Sequence, residues 1–270
     1  MTKQKFSQRK LRQLGNMFGL KLINADEPAE LFTALLKYNN EETVHSKDKS
    51  HAFLAYVLKN FNRSTAQAFQ DAFVLFMTNE KKGGYFVEFG ATNGISLSNS
   101  YLLEKSFGWK GILVEPAQCW HRELRSNRNC MIDTNCVWGK SGERLEFNEV
   151  PAGELSTINT FSGNDGHFRH RQKGKIYEVE TISLSDLLEK HDAPHAIDYL
   201  SVDTEGSELT ILENFDFSKY NIRIITVEHN YTEIREKIYD LLIRNGYERI
   251  FEKFSNWDDW YIRNDFWNLS

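Results

Sequence analysis

The sequence predicts an α/β fold in which a mostly parallel sheet of about seven strands has helices on both faces and follows a helical N-terminal segment. Three observations lead to this prediction. From Tyr85 onward, short apolar runs alternate with helical patterns, which is typical of a covered parallel sheet. The preceding residues have helical spacing only. The 270 residues, 40% of them hydrophobic, can bury one substantial core. We therefore divide the chain into a helical extension, residues 1–80, and a main domain, residues 81–270.

The N-terminal extension is predicted to contain helices. One begins near Asp26 and Pro28, a second spans residues 48–60, and Ser64 is expected to cap a third. Apolar residues of the third helix recur at helical spacing: Phe69, Ala72, Phe73 and Phe76. Such a stripe is typical of a face packed against the core rather than of a cofactor contact.

The main domain begins with a pattern of strand, helix, strand, helix and strand. Its segments are YFVEFG, SLSNSYLLEKSFG, GILVEP, AQCWHRELRSN and CMIDTNCVW. A β-rich excursion follows, in which ERLEFNEV and KIYEVETISL flank the polar loop PAGELSTINTFSGNDGHFRHRQKG. The alternation resumes with LSDLLEKHD, IDYLSVD, SELTILENF, IRIITVEHN and TEIREKIYDLLIRNG. It ends in two strands, YERIFEKF and DDWYIRN, which we expect to pair antiparallel.

Composition narrows the classes of partner. A formal net charge of -5 disfavours a nucleic-acid partner. The three cysteines are odd in number and lack CxxC spacing, so neither a disulfide framework nor a zinc site is predicted. No apolar run approaches the roughly 18 residues of a membrane span, and the basic N-terminus lacks the apolar core of a signal peptide. We expect a cytoplasmic protein with no membrane partner; its oligomeric state stays open.

The turn after the first strand is shaped for a ligand. Gly90 and Gly94 lie where a strand passes into a helix, and the carboxyl ends of parallel strands are the usual binding edge of such a sheet. Glycine lets the backbone approach a ligand closely and tolerates positive φ. A third glycine in register and a GK[ST] sequence are both missing, so a pyrophosphate is not the expected ligand of this turn.

Two acids accompany this turn. Glu115 ends the second strand, where a carboxylate can accept both hydroxyls of a ribose. Glu88 ends the first strand and suits an ammonium group. A ribose with an ammonium group fits S-adenosylmethionine, which we predict as the cofactor. In the alternative interpretation, Glu88 caps a helix and Glu115 lies on a solvated rim.

The chain from about Ala66 to Arg263 resembles the FkbM-type S-adenosylmethionine-dependent methyltransferases. The resemblance rests on AFQDAFVLFM, GGYFVEFGATNG, GILVEP, NCVWGKSGERLEF, VETISLSDLL, IDYLSVDTEGSELTIL and IITVEHN. It implies the class I methyltransferase Rossmann-like fold, with a seven-stranded sheet whose seventh strand is inserted antiparallel. On the methionine side of the cofactor it implies contacts from Glu88, Gly90, Ala91 and Gly94. It also implies Glu115, with Pro116, at the ribose and Cys136, in place of the family's usual alanine, with Val137 at the adenine.

The ends of the fourth and fifth strands carry the expected acid–base groups. Asp203 ends one strand, and Glu228 and His229 end the next. Methyl transfer is an in-line displacement that needs positioning and, for a hydroxyl acceptor, a base. We predict Asp203 beside the cofactor and acceptor, and Glu228 or His229 orienting or deprotonating the acceptor. The structural alternatives are helix capping for Glu205 and Glu208 and a backbone-bonded role for His229.

A metal site is an alternative at the same strand ends. Asp203, Glu228 and Asn230 offer oxygen ligands for Mg²⁺. An acid followed directly by an amide is absent after the fifth strand, so we predict no metal. His167 and His170 form a poor zinc pair without further ligands. Their basic loop is interpreted as a lid or acceptor-binding segment, or as a solvated loop.

The resulting hypothesis is an S-adenosylmethionine-dependent methyltransferase, of class EC 2.1.1, that methylates a hydroxyl of a sugar, polysaccharide or secondary metabolite. DTEG occupies the strand end where methyltransferases of base amino groups have (D/N)PP(Y/F), which favours a small-molecule or glycan acceptor over a nucleobase. Two alternatives stay open: a catalytically silent cofactor-binding scaffold on the same fold, and a nucleotide-dependent oxidoreductase. The acceptor itself is not encoded in the fold.

Overall fold

The computed structural model describes residues 49–60, 62–151, 153–162 and 168–266. The helix predicted near Asp26 and Pro28, and most of the N-terminal extension, lie outside these residues. Within the described part of the chain, no helix combines the length and the apolar character that crossing a membrane requires.

The described elements follow the predicted alternation from the first strand onward. The α-helices are α1 Ser50–Asn60, α2 Gln70–Met77, α3 Tyr101–Phe107, α4 His121–Asn127, α5 Phe168–Arg171, α6 Leu184–Lys190, α7 Glu208–Glu213, α8 Ile234–Arg244 and α9 Glu252–Ser255. The strands are β1 Tyr85–Phe89, β2 Lys110–Val114, β3 Met131–Asp133, β4 Cys136–Trp138, β5 Arg144–Glu149, β6 Thr157–Ile158, β7 Lys175–Ser183, β8 Ala196–Val202, β9 Asn221–Glu228, β10 Tyr247–Ile250 and β11 Asp258–Arg263.

The main sheet has seven strands in the order β10-β11-β9-β8-β1-β2-β3. Strand β11 is antiparallel to both of its neighbours, and the other pairs are parallel, so the sheet is mixed. The last two strands pair antiparallel, as the sequence predicts. From β1 the chain moves outward to β2 and β3 and then returns to place β8 on the other side of β1. The strand order thus reverses between β1 and β8, which is where open α/β sheets bind ligands.

The side chains on the two faces of the main sheet pack into two separate cores. Phe86 and Tyr199 belong to the core that also contains residues of α1, α2, α3 and α4. Their neighbours Val87 and Leu200 belong to the other core, with residues of α6, α7 and α8. This division follows from the period of two along a strand, which directs successive side chains to opposite faces. The prediction of helices on both faces is confirmed.

The excursion forms a second sheet, in the order β4-β7-β5-β6. Strands β5 and β7 correspond to the two segments predicted to flank the polar loop, and they pair antiparallel. The segment CMIDTNCVW, predicted as one strand, is two: β3 joins the main sheet, and β4 pairs parallel with β7. The polar loop also contains β6, which pairs with β5.

Two predicted helix starts are wrong. Ser64 does not cap α2, which begins at Gln70; the Ser64 hydroxyl instead donates to Asp71, and Phe69 just before the helix has φ 66°. The stripe containing Phe69 and Phe73 is buried as predicted. The segment from Ser96 is not helical before Tyr101, because residues 98–100 bind the buried carboxylate of Glu88.

Candidate active site

A cavity of about 550 Å³ lies at the carboxyl ends of β1, β2, β8 and β9, with β4 of the second sheet on one side. It therefore lies at the reversal of strand order. Many of the residues singled out in the sequence line it: Glu88, Gly90, Glu115, Pro116, Cys136, Val137, Asp203 and Glu228. Three predicted site residues are not among those that line it. Ala91 follows Gly90 and His229 follows Glu228, both of which line the cavity, and Gly94 contacts Arg128. The cavity thus brings together groups that are far apart in the chain.

The glycine turn, which follows β1 and contains Gly90 and Gly94, approaches the loop after β8 closely. Gly90 has φ +71°, and a Cβ built on it would lie 2.3 Å from the backbone oxygen of Asp203. No larger residue fits there without moving the loop after β8. Gly94 has φ +80°, and its Cβ would lie 2.6 Å from Arg128 and 2.8 Å from Leu124. Gly90 therefore permits a close backbone approach at the cavity floor, whereas Gly94 permits packing against α4.

Glu88 binds its own chain. Its carboxylate accepts from the Asn99 amide at 2.7 Å and from the Ser98 hydroxyl at 3.0 Å, and also from the Ser100 hydroxyl. The Arg128 guanidinium lies 3.9 Å away. Burial raises the pKa of Glu88 above its ordinary value, against the opposing effect of Arg128 and these donors. Glu88 thus shapes the loop beside the cavity as well as lining it.

Arg128 is a supporting residue that the sequence analysis missed. Its side chain is fully buried and pairs with Glu104. It donates to the Gly94 carbonyl at 3.1 Å and to the hydroxyls of Ser98 and Ser100 at 3.0 and 2.8 Å. Arg128 therefore connects the glycine turn with the loop that encloses Glu88. No motif marks it, because it lies in a loop after α4.

Glu115 is held in place and remains able to bind a ligand. Its Oε1 accepts from the Ala117 amide at 2.8 Å and its Oε2 from the Thr92 amide at 2.7 Å. Each oxygen keeps a second lone pair, and the residue lines the cavity while being only 4% exposed. Burial raises the pKa of Glu115 to about 7. The position of its carboxylate suits a diol with two hydroxyl donors, and the solvated-rim alternative does not describe it.

The side of the cavity formed by the second sheet is apolar. Cys136 and Val137 of β4 line it, as do Phe147 of β5 and Ile158 of β6. All four are buried. The sequence analysis missed Phe147 and Ile158, since pairing of the excursion strands, rather than a motif, brings them to the cavity. This wall can hold a flat apolar group such as a purine ring.

An acidic cluster, defined as Asp203, Glu205 and Glu228, occupies the strand ends of β8 and β9. One carboxylate oxygen from each residue lies within 4.8 Å of the others. Burial and the charge of Asp258 raise the pKa of Asp203 above its ordinary value, and burial with the charge of Asp203 raises that of Glu228 further. Burial and the neighbouring carboxylates therefore both oppose ionisation of this pair. The convergence expected of Asp203 and Glu228 is present, with Glu205 added.

Glu205 and Glu208 differ in role although both follow β8. Glu208 accepts from the amides of Thr204 at 2.9 Å and Gly206 at 3.0 Å, which is the capping-type role considered for it. Glu205 has φ 58°, and its carboxylate pairs with Arg171 at 2.8 Å. Arg171 is fully buried and also donates to the Leu155 carbonyl. No motif in the sequence marks Arg171. The neighbouring His167 and the His170 side chain lie outside what the structure describes.

His229 supports a turn at the cavity rim. Its Nδ1 accepts from the Tyr231 amide at 3.0 Å, and its own amide donates to the Trp257 carbonyl at 2.8 Å. Its Nε2 lies 3.7 Å from Asp259. Burial lowers the pKa of His229, so the ring is neutral at neutral pH. These contacts match the backbone-bonded alternative, and they direct Tyr231, 70% exposed, to the rim of the cavity.

Comparisons with known proteins give one family and several distant structures. The family model described as the methyltransferase FkbM domain matches residues 88–263. The precorrin-6y C5,15-methyltransferase from Geobacter metallireducens GS-15 is 11% identical, with a TM-score of 0.39, over 66% of this chain and 70% of that one. A point mutant of MtNAS is 11% identical, with a TM-score of 0.34, over 96% of this chain and 71% of that one. No curated protein sequence matches the chain.

Proposed function

Since the chain belongs to the methyltransferase FkbM domain family, we propose that it transfers a methyl group from S-adenosylmethionine to a hydroxyl of a sugar, polysaccharide or secondary metabolite. The observation that carries the proposal is the position of the buried, cavity-lining Glu115 carboxylate. It lies at the end of the strand next to the glycine turn, in the same cavity as Asp203 and Glu228 of the acidic cluster.

The residues of the cavity fit S-adenosylmethionine by their chemistry. Glu115 offers two anchored oxygens to a ribose diol. The apolar wall containing Val137 and Phe147 suits the adenine ring. The carboxylates of the acidic cluster attract a positively charged group. When bound, this cofactor supplies a methyl group activated by a sulfonium.

The proposed role of the acidic cluster is to orient and deprotonate the acceptor hydroxyl. Asp203 and Glu228 end adjacent parallel strands and line the same cavity. Because their pKa values are raised, an ionised member of the pair can take a proton close to neutral pH. The cavity also holds the acceptor out of water, which strengthens these electrostatic contacts. His229 is proposed to act indirectly, by holding the rim turn that carries Tyr231.

Cofactor binding is the first test. Isothermal titration calorimetry with S-adenosylhomocysteine is expected to give one binding site per chain, and NAD⁺ is expected to give none. Glu115→Ala should weaken S-adenosylhomocysteine at least about tenfold, since two charge-assisted hydrogen bonds are lost. Glu123→Ala, which removes an exposed acid from α4, is the matched control and should leave binding unchanged. Binding of NAD⁺ alone would favour the oxidoreductase alternative and contradict the proposal.

Turnover is the second test. The protein is incubated with S-adenosylmethionine and a panel of glycans and small hydroxylated metabolites, and methylated products are detected by mass spectrometry. We expect a methyl ether product that is lost in Asp203→Asn. Cofactor binding without product from any acceptor class would leave the scaffold alternative as the better description, and a methylated amine would overturn the choice of a hydroxyl acceptor.

A further inference from the structure

The acidic cluster has more negative charge than nearby cations neutralise. Arg171 pairs with one oxygen of Glu205. Among the described residues, neither Asp203 nor Glu228 forms an ion pair with a lysine or arginine side chain. Two further buried carboxyls lie near it, Glu208 and Asp258, and their charges add to the repulsion on Asp203. Buried charges of one sign without partners are costly, so such a group of carboxylates calls for protons or a cation.

Glu228 points to a ligand independently of the cluster's charge. The residue is 7% exposed, and no described residue forms a hydrogen bond with its buried Oε2. Buried polar atoms in proteins nearly always have a partner, and an unpaired one costs about 1–3 kcal/mol. Glu228 lines the cavity, and its carboxylate lies within 4.8 Å of the carboxylates of Asp203 and Glu205. Glu228 therefore brings to this cavity a buried oxygen that no described residue satisfies.

We propose that the acidic cluster binds a hard divalent cation, Mg²⁺ or Mn²⁺, between the ends of β8 and β9. The spacing suits one ion, since opposite oxygens around such a cation lie roughly 4 to 5 Å apart. Ligands that are all carboxylate oxygens favour Mg²⁺ and Mn²⁺ over Zn²⁺ and copper. Asn230 lines the same cavity and lies two residues after Glu228, so the amide considered in the sequence remains near this site. The cavity leaves the remaining positions of the ion to water or acceptor oxygens.

The proposal goes beyond the methyl transfer proposed above and departs from the expectation of no metal. Methyl transfer does not require the cation, and the cation site does not require that the acceptor be a hydroxyl. The site has two physical competitors. A proton shared by Asp203 and Glu228 also neutralises the pair, and the ammonium group of the proposed cofactor also carries positive charge. The experiment must separate the divalent cation from both.

Metal binding is measured directly on the full-length protein. Electron paramagnetic resonance of added Mn²⁺ is expected to show one saturable site per chain, and Mg²⁺ is expected to displace it. Glu228→Gln keeps the size of the side chain and should weaken Mn²⁺ binding at least about tenfold. Asp203→Asn should do the same, so the test does not depend on one variant folding. Glu213→Gln, at an exposed position of α7, is the matched control and should bind Mn²⁺ as the parent does.

The same titration is repeated with saturating S-adenosylhomocysteine, whose sulfur is uncharged. Retention of the Mn²⁺ signal supports a separate cation site. Displacement of Mn²⁺ would assign the carboxylates to the ammonium group and overturn the proposal. So would the absence of saturable Mn²⁺ binding, or equal binding by Glu228→Gln and the parent, because the shared proton would then account for the cluster.

Discussion

At the scale of single residues, Glu88 and Glu115 show how one residue type takes different roles at adjacent strand ends. Glu88 is surrounded by the donors of residues 98–100 and by Arg128. Glu115 has one backbone amide on each oxygen and faces the cavity. The sequence predicts that both acids lie at the binding edge. It cannot distinguish their roles, because the donors around Glu88 come from a loop without a motif.

Cofactor affinity should depend on pH through Glu115. The proposed contact with two hydroxyls requires an ionised carboxylate, and burial raises the pKa of Glu115 to about 7. Affinity for S-adenosylhomocysteine should therefore be full above that pKa and fall as the pH drops below it, by up to about tenfold per unit. Calorimetry between about pH 5.5 and pH 8.5 checks this. Glu115→Gln should bind weakly with a much flatter profile, and a flat parent profile would contradict the assignment.

Arg128 should be important for stability. Arg128→Met leaves the buried carboxylate of Glu88 without its cation and removes one of the two cations that pair with Glu104, and loss of one partner from a buried pair costs about 3–5 kcal/mol. Urea unfolding followed by circular dichroism measures the free energy of unfolding. Arg125→Met, at an exposed position of α4, should change it by less than about 0.5 kcal/mol. Similar values for the two variants would show that the buried network is not stabilising.

At the scale of elements, the sequence predicts which segments are strands and helices better than where they begin. Strands β1, β2, β8 and β9 alternate with helices as expected, because buried parallel strands have distinctive apolar runs. The start of α3 is missed, because the side chains before it bind Glu88 instead of forming a helical turn. The split of β3 from β4 is also missed, since β4 owes its place to pairing with a strand that comes much later in the chain.

Changes in the rim turn after β9 should alter the binding of the acceptor and leave the binding of the cofactor unchanged. Asn230 and Tyr231 have φ of 46° and 56°, and such left-handed residues often occur at functional sites. Tyr231→Ala should raise KM for the acceptor about tenfold or more, because a sugar or aromatic ring loses a stacking partner. Affinity for S-adenosylhomocysteine and the melting temperature should stay unchanged, since the ring is exposed. Tyr231→Phe keeps the ring and should retain most activity; equal KM values in all three proteins would exclude this role.

At the scale of the whole molecule, strand order is what assembles the site. The sequence identifies Glu115 and Asp203 as members of one site only because both follow predicted strands. The reversal between β1 and β8 brings them to one cavity. Phe147, Ile158 and Arg171 could not be predicted, since they enter from the excursion, whose packing against the main sheet depends on contacts between distant segments. The local patterns are therefore sufficient to predict the acids at the strand ends and insufficient to predict the walls around them.

Substitution of Gly90 tests the close contact between the glycine turn and the loop after β8. Gly90→Ala places a Cβ 2.3 Å from the Asp203 backbone oxygen, and both the clash and the positive φ are unfavourable. We expect a loss of at least about 2 kcal/mol in the free energy of unfolding, together with loss of S-adenosylhomocysteine binding. Gly142→Ala is the matched control: its φ is +78°, but its Cβ meets no atom of the described part of the chain within 4 Å. It should cost only about 1 kcal/mol. Equal losses would mean that the close approach is unimportant.

The aromatic packing between early and late segments bears on how the chain folds during synthesis. Phe53 of α1 is fully buried against Phe251, at 4.9 Å between ring centroids, and against Trp260 of β11 at 5.7 Å. Phe73 of α2 stacks on Trp260 at 4.6 Å. Helices α1 and α2 therefore leave the ribosome long before the aromatic residues that cover them are synthesised. Until β11 is synthesised, this exposed aromatic surface can bind chaperones or other nascent chains. The core on this face of the sheet is completed only when β11 inserts between β9 and β10.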